Sequence, residues 1–263
     1  MTPPDEHSDP AAVGMPFPLF KAPLGNIHGL LRDINCSICG QHRLYAFPFD
    51  DCDSVIRPCL QCGNAVGLIR GWKQRPPEPS ICAHCGFANP WPADRPDVEI
   101  DPVCYECLRA GRVAIQHETE SFIVTYALAV QGMARLNDPD FAAREKFPTT
   151  VLTTYDDGSQ SIGVHLPSPL LFELLRTPNH QALQQEYWPW HCGGLMAYVG
   201  RWEPDDFNQR AGGEGYEWFA RHLPAYRADE ADDMWSWLEN GIAWSCVYQC
   251  QSCGLHRVFV DAD

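Results

Sequence analysis

The chain has 263 residues, 45% of them hydrophobic, and carries a formal net charge of −15 at neutral pH. This length and apolar content suffice for one large folded domain or two smaller ones. Binding to a nucleic-acid backbone depends on basic residues that displace counterions from the phosphates. The acidic balance therefore argues against nucleic acid as a partner and favours a basic protein.

Residues 1–17 are rich in proline and in small and acidic side chains, and this composition predicts a flexible N-terminal arm. They contain neither the basic nor the apolar region of a signal peptide, and no stretch of the sequence approaches the roughly 18 apolar residues of a membrane helix. We therefore expect a cytoplasmic protein that makes no membrane contact and whose cysteines are kept reduced.

Four Cys-x-x-Cys pairs follow the arm. Two cysteines three apart place both sulfurs on one side of a tight turn, and two such turns complete a tetrahedron around zinc. The spacing predicts two consecutive zinc units, the first over residues 18–75 and the second over residues 80–113, separated by a proline-rich linker at 75–80. The expected ligands are Cys36, Cys39, Cys59 and Cys62 in the first unit and Cys82, Cys85, Cys104 and Cys107 in the second.

Disulfides, a redox-active pair and metal-free thiols are the alternatives to zinc. Disulfides need an oxidising compartment, and a thioredoxin-like redox motif normally occurs once and opens a helix after a strand. Four adjacent pairs fit neither description, so zinc is the favoured interpretation. Because four cysteines fill the coordination sphere, the metal is expected to be structural.

Beyond the cysteine pairs the pattern predicts an acidic, tryptophan-rich α+β domain over residues 114–263. An Asp-Gly turn between two β-branched runs predicts a hairpin at 151–165, and a serine followed by proline predicts a helix at 168–176 with Ser168 as its N-cap. The whole chain is thus expected to be α+β: tandem four-cysteine zinc-ribbon or knuckle units, then a domain of hairpins and short helices. Further expected elements are a strand or helix at 121–130, a helical turn at 140–146, a loop at 89–96, and helices at 215–222 and 229–239.

A fifth Cys-x-x-Cys pair lies in a predicted C-terminal hairpin and suggests a third metal site. Cys250 and Cys253 would supply two ligands, and His191 and Cys192 are candidates for the other two, because distant pairs combine in this way in ribbons. The alternative is that Cys192 is an ordinary buried thiol and His191 a hydrogen-bonded core histidine.

Seven acidic residues cluster at the predicted helices of the last third of the chain. At the N-terminus of a helix such residues stabilise the helix dipole, and together they are also candidates for a surface that binds a basic partner. These residues are Glu203, Asp205, Asp206, Asp229, Glu230, Asp232 and Asp233.

Seven short segments of the sequence carry a resemblance to one known family: residues 18–21, 104–107, 176–178, 184–188, 191–193, 196–200 and 248–254. Together they resemble the CbrC family of zinc-ribbon-like bacterial proteins. The motif Cys104-Tyr105-Glu106-Cys107 is similar to that family's Cys-Pro-Trp-Cys knuckle, although this chain holds two cysteine units where the family usually holds one.

The resemblance implies a function that the acidic charge also suits. CbrC-like proteins are associated with tolerance to a DNase colicin, so we expect a bacterial immunity or tolerance protein that binds and neutralises a basic, nuclease-type toxin. A zinc-ribbon adaptor or regulator that binds another protein or nucleic acid is the alternative, and a metal-dependent enzyme is the third candidate. The sequence contains no phosphate-binding loop, nucleophile elbow or zinc-protease helix motif, so no catalysis is expected.

Overall fold

The computed structural model describes residues 5–49, 53–59, 61–62, 65–70, 80–82, 84–89, 102–184 and 186–262. The fold over these residues is mixed α/β, with several small sheets and a few short helices. The predicted linker at 75–80 and loop at 89–96 fall almost entirely outside the described residues.

The secondary-structure elements are short. The strands are β1 (Leu31–Asn35), β2 (His42–Phe47), β3 (Ser54–Pro58), β4 (Ala65–Arg70), β5 (Ser80–Ile81), β6 (Ala88–Asn89), β7 (Val103–Cys104), β8 (Val113–Ala114), β9 (His117–Glu118), β10 (Phe122–Val124), β11 (Met133–Leu136), β12 (Thr149–Thr154), β13 (Gln160–His165), β14 (Trp190–His191), β15 (Gly194–Leu195), β16 (Ala197–Arg201), β17 (Ala243–Gln249) and β18 (His256–Ala262). The α-helices are α1 (Tyr105–Arg109), α2 (Tyr126–Val130), α3 (Pro139–Glu145), α4 (Ser168–Leu174), α5 (Pro204–Arg210), α6 (Gly215–His222) and α7 (Ala231–Glu239).

Two small sheets in the N-terminal part, an outer and an inner one, are interleaved along the chain. The outer sheet has the order β1-β2-β7, and Ala46 of β2 lies opposite Cys104 of β7. The inner sheet, β4-β3-β8, takes β3 and β4 from the chain between β2 and β7, which also forms the hairpin β5–β6, whereas β8 follows β7. The predicted consecutive units 18–75 and 80–113 are corrected accordingly, because the antiparallel pairing of β2 with β7 closes the outer sheet across the whole intervening segment.

The central sheet is antiparallel, with the order β12-β13-β11-β10-β9. Its β12–β13 hairpin confirms the predicted hairpin, and Gly158 in the turn has a φ of +81°, a value that glycine adopts without strain. The ambiguous segment 121–130 contains both predicted elements: β10 comes first, then α2, whose N-cap Thr125 accepts a hydrogen bond from the backbone N–H of Leu128 at 3.3 Å.

The C-terminal sheet, β16-β17-β18, packs against α5, α6 and α7 through an apolar cluster that includes Phe207, Phe219 and Met234. Helix α6 confirms the helix predicted at 215–222, whereas the segment predicted as a helix from 229 begins as a 3₁₀ turn at Ala225–Glu230. In α4, Ser168 is the first helical residue and not the N-cap, because the preceding proline occupies that position.

One apolar core runs from the N-terminal segment to β17. Met15 and Phe17 are buried in it, and Phe17 packs edge-on against Phe47, with their ring centroids 5.6 Å apart. The backbone N–H of Leu24 also donates to the carbonyl of Ser8 at 3.0 Å. The prediction of a flexible arm is therefore wrong for residues 5–17, which are held by buried apolar side chains and backbone hydrogen bonds.

The predicted domain boundary between residues 113 and 114 is also corrected. Val113 and Ala114 are both buried in the same core. Close by, Arg109 of α1 donates two hydrogen bonds to Glu173 of α4, at 2.5 and 3.1 Å. A bidentate pair of this kind fixes the orientation of both side chains, so it ties the cysteine-rich part to the following part.

The longest helix in the described part of the chain, α7, has nine residues. No helix there is long and apolar enough to cross a membrane.

Candidate metal centres

Among the residues that the structure describes, three groups of four side chains bring potential metal ligands together, with all ligand atoms of a group within 4.8 Å of one another. Each group can hold a metal ion. The first group is Cys36, Cys39, Cys104 and Cys107; the second is Cys59, Cys62, Cys82 and Cys85; the third is His191, Cys192, Cys250 and Cys253.

The first group joins the two ends of the cysteine-rich part, residues 36–107. Cys36 and Cys39 lie in the β1–β2 turn, while the other pair spans the end of β7 and α1. The Sγ atoms of Cys39 and Cys104 are 3.9 Å apart, and the backbone N–H of Cys104 donates to the Sγ of Cys36 at 3.3 Å. Three of the four cysteines are buried, and Cys39 is half-buried.

The guanidinium group of Arg43 lies beside the first group. The side chain of Arg43 hydrogen-bonds to Cys104, an interaction that raises the pKa of the arginine. Its Nε also lies 3.3 Å from a carboxylate oxygen of Glu106. Because four thiolates around one divalent ion leave a net charge of about −2, this guanidinium is placed to offset part of that charge.

The second group lies between the β3–β4 and β5–β6 hairpins. Its sulfurs form two close pairs: Cys59 and Cys85 are 3.7 Å apart, and Cys62 and Cys82 are 3.5 Å apart. Cys59 and Cys82 are buried, whereas the other two are more exposed. The sequence predicted all eight cysteines of the first two groups, but the structure pairs the outer motifs with each other and the inner motifs with each other.

The third group brings together the four residues that the sequence suggested for a further site. His191 and Cys192 lie at the β14–β15 turn, and the Nδ1 atom of His191 is 3.5 Å from the Sγ of Cys253. Cys192 has a φ of +50° and Gly193 a φ of +79°. Two successive positive values are typical of the two-residue hairpin turn that joins twisted strands.

One turn geometry recurs in all three groups. In each case the first cysteine of a Cys-x-x-Cys-Gly motif donates its backbone N–H to the carbonyl five residues later, and the glycine donates its N–H back to the carbonyl of that cysteine. The distances are 2.9 and 2.8 Å at Cys36, 2.9 and 2.8 Å at Cys82, and 2.8 and 2.9 Å at Cys250. The glycines have φ values of +69°, +72° and +74°, so this positive φ is a common requirement of the turn.

The thiols of a group shift one another's pKa values. Although burial opposes it, hydrogen bonds from His191 and the backbone of Cys253 lower the pKa of Cys250 to about 6, while the adjacent Cys253 raises that of Cys192 to about 11. In the first group, burial raises the pKa of Cys36, but backbone hydrogen bonds outweigh it and lower the pKa to about 7. One thiolate therefore forms readily and a second beside it is penalised, a penalty that a central divalent cation removes. The donor sets fit a soft or borderline divalent metal.

Four of the seven predicted acidic residues have local structural partners. Glu203 and Asp206 form a reciprocal capping box at the start of α5. Glu230 forms an ion pair with the arginine three residues before it, and Asp232 accepts a hydrogen bond from the hydroxyl of Tyr216.

The structure divides these acidic residues between two places. Glu203 and Asp205 line a groove of about 660 Å³ together with Glu239, at the C-terminal end of α7. Asp229 lies in the 3₁₀ turn just before α7 and Asp233 in the first turn of α7, about 9 Å along the helix axis from Glu239 at a rise of about 1.5 Å per residue. The two sets of acidic residues therefore lie at opposite ends of α7.

A buried polar cluster that the sequence analysis did not identify lies between the central and C-terminal sheets. Glu186 faces Nδ1 of His117 at 2.8 Å and accepts hydrogen bonds from the backbone N–H of His180 at 2.6 Å and from the indole N–H of Trp188 at 3.2 Å. The Nε2 of His117 faces the carbonyl of Thr177 at 3.1 Å. His117 carried no sequence signal, whereas Glu186 lies in one of the segments that suggested a family.

Comparison with known proteins identifies the relatives of the chain. Residues 76–262 match the model of UPF0167, described as an uncharacterised protein family. A UPF0167 protein of Mycobacterium bovis and one of Mycobacterium tuberculosis are each 28% identical to the chain over 178 residues, which cover 61% of this chain and 89% of each relative. No solved structure matches the chain.

The prediction of the CbrC family is therefore wrong, because both the matching model and the curated relatives are of UPF0167. The implied association with colicin tolerance loses its basis in family resemblance. The matched segment contains all four ligands of the third group but only one cysteine pair from each of the other two, since the remaining pairs precede residue 76.

Proposed function

The chain belongs to the uncharacterised protein family UPF0167, so its function has to be inferred from its own residues, and we propose that it is a zinc-stabilised, non-catalytic binding protein. The observation that carries the proposal is that three groups of four protein ligands each form a complete coordination set. Structural zinc takes four protein ligands, whereas catalytic zinc keeps one position for water or substrate. Bound at these groups, zinc would stabilise the turns that supply its ligands.

Zinc suits these groups better than other metals. Thiolate-rich donor sets select zinc, copper(I) or iron–sulfur clusters, and tetrahedral sets of four cysteines or of three cysteines and a histidine are common zinc sites. The two hairpins that carry the second group, each with a Cys-x-x-Cys pair in its turn, support the proposal of a zinc ribbon. Substitution by Co²⁺ tests the geometry: the absorption spectrum of tetrahedral thiolate-bound cobalt is expected, and an octahedral spectrum would contradict it.

The partner that the charge favours is a basic protein, and a nuclease toxin that the chain would neutralise as a cytoplasmic immunity protein is the specific proposal. Support comes from the net charge of −15 and from the acidic residues on α5 and α7. Opposite charge accelerates association and helps to select the partner. Since the acidic residues occupy two places, the first binding surface to test is the start of α7.

The test is titration calorimetry with purified basic nuclease toxin domains, with inhibition of DNA cleavage as a second readout. Neutralising Asp229, Glu230, Asp232 and Asp233 to amides is expected to slow association and weaken binding about tenfold or more at low salt. The matched control neutralises four exposed acidic residues elsewhere: Glu118, Asp140, Glu145 and Asp156. Equal effects of both variants would show that only total charge matters, and absence of binding to every basic domain would refute the partner class.

A second candidate function, a zinc-ribbon adaptor that binds another protein, is favoured by one observation. Ile81 and Phe87 flank the turn that contains Cys82 and Cys85, and these two apolar residues are 70% and 37% exposed. Exposed apolar side chains on a rigid turn are typical contact residues of protein interfaces. Binding abolished by Ile81→Ser and Phe87→Ser but not by loss of the α7 carboxylates would favour this function over toxin neutralisation.

A further inference from the structure

A groove of about 420 Å³ lies where the N-terminal segment meets α5 and the C-terminal sheet. The side chains that matter here are Lys21, Arg210, His256, Gln249, Trp202 and Asp9. Basic and imidazole groups outnumber the single carboxylate. In a chain with a net charge of −15, composition alone does not predict such a groove.

The two permanent cations of the groove are available for a ligand. Among the described residues, neither Lys21 nor Arg210 forms an ion pair with a carboxylate. Asp9 also lines the groove but forms no ion pair with either side chain, and its carboxylate accepts the backbone N–H of Ala11 at 2.8 Å. Both side chains are exposed at the groove and keep their hydrogen-bond donors free.

An aromatic ring orients the donors of Arg210. The guanidinium carbon of Arg210 lies 4.3 Å from the ring centroid of Trp202, a cation–π contact that orients the fork of donors. Trp202 in turn lies 5.3 Å from Trp218, whose ring is 5.4 Å from that of His256. The groove thus combines one oriented guanidinium and one ammonium group with a flat aromatic wall, and such a combination of a few polar groups with aromatic surface is typical of a small-molecule site.

The surroundings of the histidine agree with a positive potential. Burial lowers the pKa of His256, and the neighbouring His222 and Arg210 lower it further. Burial and the charges of Arg221 and Arg257 likewise lower the pKa of His222, after allowance for its hydrogen bond to Trp218. The nearby groups therefore disfavour a further positive charge and favour a negative one.

We propose that this groove binds a small phosphate-bearing molecule, with its phosphate between Lys21 and Arg210 and its organic part beside Trp202. Guanidinium and ammonium groups are the side chains that most often bind phosphate, the first through two parallel hydrogen bonds and the second as a point charge. The site uses none of the metal ligands and none of the acidic residues assigned to partner binding, so it stands apart from the proposed function.

The test is a titration of the zinc-loaded full-length protein with inorganic pyrophosphate, adenosine diphosphate and adenosine, followed by tryptophan fluorescence and calorimetry. Pyrophosphate or adenosine diphosphate is expected to bind saturably with a dissociation constant of about 1 mM or tighter, and adenosine is not. If only the diphosphate nucleotide binds, the aromatic wall contributes and the proposal stands. The proposal would be overturned if adenosine bound with the same affinity as adenosine diphosphate, or if no probe bound saturably.

Single substitutions locate the site. Arg210→Gln and Lys21→Gln are each expected to weaken binding about tenfold, as loss of a charge-assisted hydrogen bond does. Arg135→Gln, on an exposed position of β11, is the matched control and should leave affinity unchanged. All three variants keep every metal ligand. If the probes bound only by chelating zinc, the three variants would therefore bind them with equal affinity, and equal affinities would refute the site. If Arg210→Gln unfolds, Lys21→Gln decides the outcome by itself.

Discussion

The carboxyl group of Glu186 connects segments that are far apart in the chain. It faces His117 from β9 and accepts hydrogen bonds from His180 and Trp188. The carbonyl of Thr177 can only accept, so Nε2 of His117 carries a hydrogen, and a second hydrogen lies between Nδ1 and the carboxyl group. A buried carboxyl group is costly to desolvate unless its oxygens are satisfied in this way.

Removing this carboxyl group should therefore destabilise the fold strongly. Glu186→Ala leaves His117 buried without its partner, and we expect a loss of about 3–5 kcal/mol in the free energy of unfolding, measured in urea. Glu118→Ala, at an exposed position of β9, is the control and should change stability by no more than about 0.5 kcal/mol. Similar losses for the two variants would show that the cluster does not stabilise the protein.

The same residue predicts an acid-dependent contribution to stability. Burial raises the pKa of Glu186, but the charges of His117 and His180 and the hydrogen bonds outweigh it, so the pKa lies below the usual 4.5. A lowered pKa in the folded state means that the contribution is fully present above about pH 4.5 and is lost as pH falls through the folded value. The stability difference between wild type and Glu186→Gln should shrink as pH falls below 4.5; a difference that grows there would contradict this sign.

Among the elements of the described part of the chain, the Cys-x-x-Cys-Gly turn is the one that occurs three times. Its two backbone hydrogen bonds and its positive-φ glycine are nearly identical at residues 36–41, 82–87 and 250–255. The ligands that complete each group come from different elements: the start of a helix, a second hairpin and a two-residue turn. The repeated turn is therefore the constant part of each site, and the second ligand pair is the part that varies.

The turn glycine can be tested against a neighbouring glycine. Gly254→Ala places a Cβ in open space but at a φ of +74°, which costs roughly 1–2 kcal/mol. Gly194→Ala also meets nothing within 4 Å and has no positive φ, so it is a matched control beside the same group. We expect about tenfold weaker zinc binding at the third group for Gly254→Ala only, measured by competition with a chromophoric chelator. Equal affinities for the two variants would contradict a strained turn.

At the scale of the whole molecule, the outer cysteine group is part of the main core, whereas the inner cysteine group lies in the segment between β2 and β7. Cys36, Cys104 and Cys107 belong to the same apolar cluster as Phe17 and Tyr198. The inner cysteines are absent from that cluster. Loss of the outer group should therefore destabilise the protein more than loss of the inner one.

Double substitutions distinguish nested from consecutive pairing. Cys39→Ser with Cys107→Ser removes two ligands from one group and should leave the other two groups able to bind metal. Cys39→Ser with Cys62→Ser removes a ligand from each of two groups and should leave only one intact. Native mass spectrometry counts the bound ions, and the opposite order of losses would restore consecutive pairing.

Local chemistry explains which parts of the structure could be predicted from the sequence. Gly158 in an Asp-Gly turn and the cysteine spacings act over a few residues, and they predicted the hairpin and the ligands. The pairing of Ala46 with Cys104 joins residues too far apart for any spacing rule, so the nesting was not predictable. Met15 and Phe17 lie among prolines, where no periodic pattern marks them as core residues, and nothing in the sequence around His117 marks it as a partner for Glu186.

The central claim is that three complete ligand groups hold three structural zinc ions, and counting metal in the purified protein tests it most directly. Elemental analysis together with native mass spectrometry is expected to give three zinc ions per chain. Chelation should unfold the protein, because binding at such sites contributes on the order of 10 kcal/mol to folding. Two or fewer zinc ions per chain after growth and purification in zinc-replete medium, or a chain that stays folded without metal, would contradict the account.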